Sequence, residues 1–565
     1  MNSIKIKDIE DFCKSKPETH VYRNFKISDE DFSKFRNVIT DMDNLKELNE
    51  KTIKQIWKKY KVLPPKPRLM EVYLHMVDNE SYPISSKIEE YLVSHVTRAI
   101  SGVSVCAVFL SPYPKMNGSE VGQAFSCKWN CHYCPNEPDQ PRSYLFGEPG
   151  VLRANQNKFD CVEQIYCRIR SLKLCGHPID KLEILILGGT IHSYPKEYLE
   201  EFMRDIFYAA NTSITKHSRP RNTLKEEQDI NENSEHRIIG VTIETRPDCI
   251  NLKELQDFRR WGVTRVQIGV QHTDDAILKR VNRGHGIKQT MKACQMLRDS
   301  CFKFDIHLMP NLPDSSPEKD IEMMDYVLAN IHPDQVKMYP TTITPFTRIL
   351  EDYKTGKYVP YNNEALEKVV IYWMVNVHPW IRNNRIVRDI PSYYIVDGVK
   401  SSNQKQEFDQ IMLDTGLKSK CIRTREAGRH PQYKSEDGEI VIHSYDAHDG
   451  KEYFISWESK DREVIFGFVR LRLTKNQCVD IFPELAECAL IRELHVYGKT
   501  IKVNDKNIGE GVQHVGIGKT LMSKAEEIAK ENGYYKVSVI AGIGTRGYYK
   551  KIGYENIETF MIKNI

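Results

Sequence analysis

Residues Leu182–Gly189 read LEILILGG, a near-continuous apolar run closed by a glycine pair. That is the pattern of a strand covered on both faces and ending in a turn. Similar runs recur downstream as IIGVTIET (Ile238–Thr245), VTRVQIGVQ (Val263–Gln271), FKFDIHLMP (Phe302–Pro310) and PDQVKMYP (Pro333–Pro340), and AISGVSVCAVFL (Ala99–Leu110) precedes them. Amphipathic stretches such as residues 197–209 and KQTMKACQMLRDS (Lys288–Ser300) separate the runs. Apolar strands alternating with helices predict an α/β fold with a parallel sheet, open or closed into a barrel. Each run ends in polar or glycine residues, where an α/β barrel places its chemistry.

Outward from this core, which spans about residues 96–370, residues 1–95 read as a helical, basic N-terminal region. PPKPR (Pro64–Arg68) is expected to close its first part. Residues 51–68, KTIKQIWKKYKVLPPKPR, carry seven Lys/Arg and no acid. The stretch suits a solvated helix face, or a phosphate backbone with bases stacked on Trp57 and Tyr60. Residues 212–236 are polar and unpatterned, as in a flexible surface insertion. A connecting region is expected at 371–437, holding RIVRDIP (Arg385–Pro391) and CIRTREAG (Cys421–Gly428). From 438 to 565 short alternating strands (EYFISWE, EVIFGFVRLRL, CALIRELHVYG, YKVSVIAG) and one helix predict a second, smaller α/β domain.

No apolar run approaches the roughly 20 residues of a membrane span, and no apolar stretch follows the N-terminal lysines as in a secretory signal. A cytoplasmic location is expected, with the nucleus open and no membrane partner. Fourteen cysteines in such a chain argue against a disulfide framework. The net charge of +4 is too small to point to a partner.

Two motifs carry chemistry. In Cys127-Lys-Trp-Asn-Cys131-His-Tyr-Cys134, three thiolates can hold three irons of a [4Fe–4S] cube, leaving the fourth iron for an exogenous ligand. A zinc site completed by His132 or a distant residue is the other reading. In Gln513-His514-Val515-Gly516-Ile517-Gly518-Lys519, glycines ahead of a helix let backbone N–H groups approach a pyrophosphate. A P-loop needs glycine where Gln513 stands, so that reading fails.

With Tyr133 before its third cysteine, CxxxCxxC resembles the radical S-adenosylmethionine superfamily, which implies a partial TIM-like barrel. The resemblance implies that Gly188, Gly189 and Thr190 receive the methionyl group of S-adenosylmethionine, with Glu244 and Gln271 as further contacts. QxxGxG resembles the GCN5-related N-acetyltransferases. There Gln513, Gly516, Ile517, Gly518 and Lys519 would hold acetyl-CoA, and the backbone of Glu493, Leu494, His495 and Val496 would pair with its pantetheine arm. Tyr548 and Tyr549, in GYYKKIGY (Gly547–Tyr554), would stand near the thioester.

Both modules in this order, with GVTIETRPD (Gly240–Asp248), NRGH (Asn282–His285), RDIP (Arg388–Pro391), RTRE (Arg423–Glu426) and RELHVYG (Arg492–Gly498), resemble the Elongator protein 3 family. That resemblance implies an acyltransferase that installs a carboxymethyl group on C5 of the wobble uridine at tRNA position 34. An adenosyl radical would take hydrogen from the acetyl methyl, the carbon radical would add to C5, and the thioester would be hydrolysed. Lys181 matches a lysine that contacts acetyl-CoA. Arg283, His285 and the 51–68 segment are candidate tRNA contacts. Elongator-type subunits are potential partners, and DNA is not expected. Cys421 stands alone where some relatives carry further cysteines, so no zinc is expected. The alternative reading is a protein lysine acetyltransferase with a structural iron–sulfur domain.

Overall fold

The computed structural model describes residues 27–94, 101–115, 127, 129–215, 219–398, 404–497 and 516–565. Seven strands form one sheet in sequential order: β1 (Ser104–Phe109), β2 (Lys181–Leu187), β3 (Arg237–Thr245), β4 (Arg265–Gln271), β5 (Lys303–Leu308), β6 (Gln335–Met338) and β7 (Arg382–Ile386). Every neighbouring pair is parallel. Among the described residues β1 and β7 stay unpaired with each other, so the curved sheet is an open partial barrel.

The period of two along each strand sorts its side chains. Ile184, Ile186, Ile243, Ile268 and Ile306 pack outward with the apolar faces of the surrounding helices. Helix Lys196–Thr212 contributes Leu199, Phe202, Met203 and Ile206, the 3–4 spacing of one helical face. The other side of the strands turns Glu183, Arg265, Gln267, Lys303, His307 and Lys337 into the hollow. An ordinary barrel fills that space with branched apolar side chains; here it is polar and open.

The second sheet runs β13 (Glu555–Ile557), β14 (Phe560–Asn564), β12 (Lys536–Val539), β11 (Cys488–Val496), β10 (Ile465–Thr474), β9 (Gly450–Glu458), β8 (Glu439–Ala447). Its single parallel pair is β11–β12, and that register spans only Cys488–Ile491 against Lys536–Val539. β11 continues to Val496, five residues beyond the end of that register. The two strands splay and leave a wedge. Helix Ile517–Glu531 packs Leu521, Met522, Ala525 and Ile528 on this sheet.

The second sheet forms the floor of the half-barrel. Arg492 and Arg470 of β11 and β10 reach Asp334 at the foot of β6, at 2.7 and 3.6 Å. Arg472 reaches Asp299 at 2.6 Å, and Glu493 reaches Arg265 of β4 at 3.2 Å. Gly542 and Gly544 lie flat on β3: a Cβ on Gly542 would collide with the Ile239 carbonyl, and one on Gly544 would stand 2.6 Å from Arg237 Cβ.

Four expectations change. The connecting region 371–437 supplies β7, a strand hidden from pattern reading because Arg382-Asn383-Asn384-Arg385 is polar and borders the charged hollow. The 212–236 insertion holds helix Leu224–Asn231, closed by a capping box between Thr223 and Glu226. Buried Glu227 pins that helix through Arg219 (2.6 and 2.7 Å) and Asn211 (2.9 Å), so side-chain hydrogen bonds replace apolar periodicity. PPKPR opens a helix, Lys66–Glu80, with proline in its first turn, where the missing N–H is harmless. Trp57 and Tyr60 pack into the core of the N-terminal helices, and Tyr60 and Lys59 bind Asp41 at 2.9 and 2.6 Å. Both rings are partly buried there, and the segment's exposed residues include Lys51, Lys54, Lys58, Lys59 and Lys61.

Candidate active site

One cavity of about 870 Å³ runs from the cysteine loop at the C-terminal strand ends, through the hollow, to the second sheet. Cys127, Cys131 and Cys134 all line its upper end. Among the described residues no three His, Cys, Asp or Glu side chains are already drawn to metal-coordinating spacing, so the thiols face one space without closing a shell of their own. Cys127 Sγ lies 3.9 Å from the Thr190 hydroxyl.

Two buried guanidiniums hold Cys131: Arg246 Nη1 and Arg283 Nη1 each donate to its sulfur at 3.5 Å. Burial works against the thiolate, but Arg283 and Arg246 outweigh it and bring the Cys131 thiol below its ordinary range. Cys134 goes the other way, because burial outweighs Arg142. Arg246 is fixed by Asp248 at 2.9 Å and stacks over Trp129, and Arg283 donates to the Gly269 carbonyl at 2.5 Å. His285 accepts from Arg283 Nε at 3.0 Å. NRGH thus braces the cysteine loop. Arg283 and His285 are each 6% exposed, turned toward the cysteine loop rather than an outer surface.

Below the cysteines, Gly188 and Gly189 take φ of +149° and +81°, and a Cβ on Gly189 would meet the Arg142 carbonyl at 3.0 Å. The pair lets a ligand approach the backbone closely. Gln271 is strained in the left-handed region (φ +72°) beside a bulge in β4, and its buried Oε1 has no partner among the described residues. A buried, unpartnered acceptor aimed at a cavity marks a place for a ligand donor. The Glu244 carboxylate accepts from Tyr144 at 2.7 Å, with Lys337 Nζ 3.8 Å away. Deeper still, Gln267 Oε1 accepts from Lys337 Nζ at 2.5 Å, and His307 Nε2 lies 3.3 Å from the same oxygen. Burial, helped by Lys337, holds His307 neutral. Gln267, His307 and Lys337, on β4, β5 and β6, escaped sequence reading. The available signal was polar residues at inward positions of otherwise apolar strands.

At the floor, Glu493, Leu494, His495 and Tyr549 line the cavity. The Glu493 carboxylate is engaged by Arg470 at 3.0 Å and Arg265 at 3.2 Å, and despite burial Lys303 and these arginines pull it down to about 2. His495 Nε2 bonds the Ser101 carbonyl at 3.0 Å. Their side chains are committed to structure, which leaves the backbone edge of Glu493–Val496 facing the wedge. Helix Ile517–Glu531 starts at Gly516 (φ +83°), and the N–H groups of Ile517, Gly518 and Lys519 at its first turn have no intrahelical partner. A Cβ on Gly518 would stand 2.8 Å from the Tyr548 hydroxyl, so this tyrosine caps the loop. Tyr549 is buried and crosses Tyr548 edge-on at 5.3 Å. Gln513 lies outside the described residues. Lys181 begins β2, about 23 Å from Gly188 at ~3.3 Å per residue. It is paired across the ladder with Arg237, against which Gly544 packs, and stands in register with the cavity-facing Glu183, Leu185 and Leu187, at the end of β2 nearest the second sheet.

A cysteine-bearing half-barrel floored by a splayed sheet with a helix-start anion loop defines a radical S-adenosylmethionine domain fused to an acetyltransferase domain. Residues 124–324 match the Radical SAM superfamily, 333–413 the Radical SAM C-terminal domain, and 421–554 the Acetyltransferase (GNAT) family. The chain is 38% identical over 485 residues to the protein named tRNA uridine(34) acetyltransferase of Methanocaldococcus infernus, covering 83% of this chain and 86% of that one. It is 34% identical over 512 residues to Elongator complex protein 3 of Homo sapiens, covering 89% and 90%. The solved archaeal Methanocaldococcus infernus Elp3 with N-terminal deletion 1–46 superposes with a TM-score of 0.69 at 34% identity, over 82% of this chain and all of that one. The chain belongs to the family of tRNA uridine(34) acetyltransferases and Elongator complex protein 3. Its cofactors are a [4Fe–4S] cluster, S-adenosylmethionine and acetyl-CoA, and the thiols, the Gln271 oxygen and the β11 edge beyond its register with β12 fit them. Among the described residues no helix is long and apolar enough to cross a membrane.

Proposed function

We propose that the chain forms 5-carboxymethyluridine at the wobble position of tRNA, using S-adenosylmethionine and acetyl-CoA. The observation that carries this reading is the single cavity joining the three cysteines to Tyr549. When bound, the cluster and S-adenosylmethionine supply one-electron cleavage of a carbon–sulfur bond, and acetyl-CoA supplies a two-carbon thioester.

The chain's own residues do the rest. Cys127, Cys131 and Cys134 would ligate the irons, with Arg246 and Arg283 holding the Cys131 sulfur. Gly188, Gly189 and Thr190 leave room for the methionyl group, and Gln271 Oε1 accepts from it. Ile517, Gly518 and Lys519 donate backbone N–H groups to the pyrophosphate, the Glu493–Val496 edge pairs with the pantetheine arm, and Tyr549 donates its hydroxyl near the thioester. Lys181, at the end of β2 nearest the second sheet, would contact acetyl-CoA there. A protein lysine acetyltransferase is disfavoured, because Tyr549 opens into the hollow rather than onto a surface where a peptide lies.

Nucleoside mass analysis tests this. tRNA is incubated anaerobically with reconstituted protein, acetyl-CoA, S-adenosylmethionine and a reductant, and 5-carboxymethyluridine is expected. Its absence, with iron present and both cofactors bound, overturns the proposal.

A further inference from the structure

Among the described residues the half-barrel is open along one side, and arginines stand on both lips of that opening. On the β1 side Arg153 of helix Pro149–Gln156 donates Nη2 to the Ala107 carbonyl at 3.0 Å, while its buried Nε has no partner. On the β7 side Arg423 donates Nη1 to the Asn384 carbonyl. Neither guanidinium has a carboxylate partner among the described residues. Around Arg423 the imbalance persists: Arg382 and Arg429 share one carboxylate, Glu426, at 2.7 and 3.6 Å. Three arginines therefore face one acid. Burial, with Arg382 and Arg429 adding repulsion, pulls Arg423 down to about 10. All of these arginines line the cavity that continues inward to Gln267, His307 and Lys337.

Unpaired, partly buried guanidiniums on both lips of a slot call for an anion between them. The lumen behind sets its charges against one another, Arg265 with Glu183 and Lys337 with Glu244, and offers Gln267 and a neutral His307 to the polar edge of a base. We infer that this lateral slot is where the substrate RNA backbone lies, with Arg153 and Arg423 gripping phosphodiesters on opposite lips while one nucleotide is turned through the slot into the hollow. Extrusion of the target base is how enzymes that modify bases reach them. The inference rests on the tRNA reading above. Acetyl-CoA also carries phosphates, so the test must separate the two sources.

A fluorescently labelled anticodon stem-loop with uridine at the wobble position is titrated against full-length protein at several salt concentrations, and acetyl-CoA binding is measured in parallel. Arg153→Gln and Arg423→Gln should each weaken RNA binding about 10-fold. Each should also flatten the plot of log affinity against log salt by about 0.7–0.9, the loss of one phosphate contact. Acetyl-CoA affinity should stay within twofold. Arg153→Lys and Arg423→Lys keep the charge and should keep the slope. Arg429→Gln removes a lip charge without disturbing a buried carbonyl and should flatten the slope in the same direction, so a folding defect in the glutamine variants does not remove the test. Unchanged RNA affinity and slope in folded variants, or a loss confined to acetyl-CoA, overturns the slot. A wild-type protein that does not bind the stem-loop at all would instead overturn the tRNA reading itself.

Discussion

Arg492 of β11 grips Asp334 at the foot of β6 through two hydrogen bonds, Nη1 to Oδ2 at 2.7 Å and Nη2 to Oδ1 at 2.8 Å, with neither side chain reaching water. The bond joins the acetyltransferase sheet to the barrel. Removing one partner strands a buried charge, so Asp334→Ala should cost about 3–5 kcal/mol, and Arg492→Met with Asp334→Leu should recover little of it, because Glu452, 2.8 Å from Arg492, and Arg470, 3.6 Å from Asp334, would each lose a partner. Denaturant unfolding followed by a fluorescence signal from each domain measures this. A loss below about 1 kcal/mol for Asp334→Ala would contradict it.

Asp305 gives the pH dependence an unusual sign. Burial pushes its carboxyl up to about 6, with Arg265 and Lys337 only partly offsetting it. The folded value exceeds the unfolded one of about 3.9, so its contribution is full below about pH 4 and is lost as pH rises through 6. Asp305→Asn fixes the neutral form and can keep an acceptor for Gln267 Nε2, now 2.9 Å from Asp305 Oδ2. The variant should melt with the wild type at pH 4 and a few degrees above it at pH 8. Equal melting at both pH values would show that Asp305 ionises without penalty.

Arg283 should matter for cluster chemistry rather than for RNA binding. Arg283→Lys cannot serve both the Cys131 sulfur and the Gly269 carbonyl, because an ammonium lacks the planar fork. Reductive cleavage of S-adenosylmethionine should slow about 10–100-fold, the usual effect of losing a bond to a metal ligand. Stem-loop affinity should not change. If RNA binding falls and cleavage does not, the bracing role is wrong.

Gly518 is held free of side chain by Tyr548. Gly518→Val should push the tyrosine aside and raise the acetyl-CoA Kd about 10-fold or more, while Tm moves by only a degree or two. The crowding falls at a partly exposed helix start rather than in the core. Calorimetric titration decides it, and unchanged affinity would place the coenzyme elsewhere.

Much of this was legible from the residues. The β2–β6 strands announced themselves because helices cover their outer faces with Ile, Val and Leu. The cysteine spacing and the glycines before Ile517 are local, so a linear reading finds them. What escaped depends on contacts far apart in sequence. Arg283 serves Cys131 across 152 positions, and no local pattern distinguishes it from an RNA-binding arginine. β7 was hidden because its polar residues border the hollow, and helix Leu224–Asn231 because it is held by Glu227 and not by apolar periodicity. Lys181 reads as an acetyl-CoA contact only by resemblance; nothing local distinguishes it from a lysine that merely opens a strand.

The hollow itself has a consequence for how such a protein can change. Glu183, Gln267, His307 and Lys337 occupy positions that, filled with valine and leucine, would add to the packed core and raise heat tolerance. A library selected only for survival at high temperature should therefore plug the middle of the molecule first, producing hardier proteins with no passage left between their two ends.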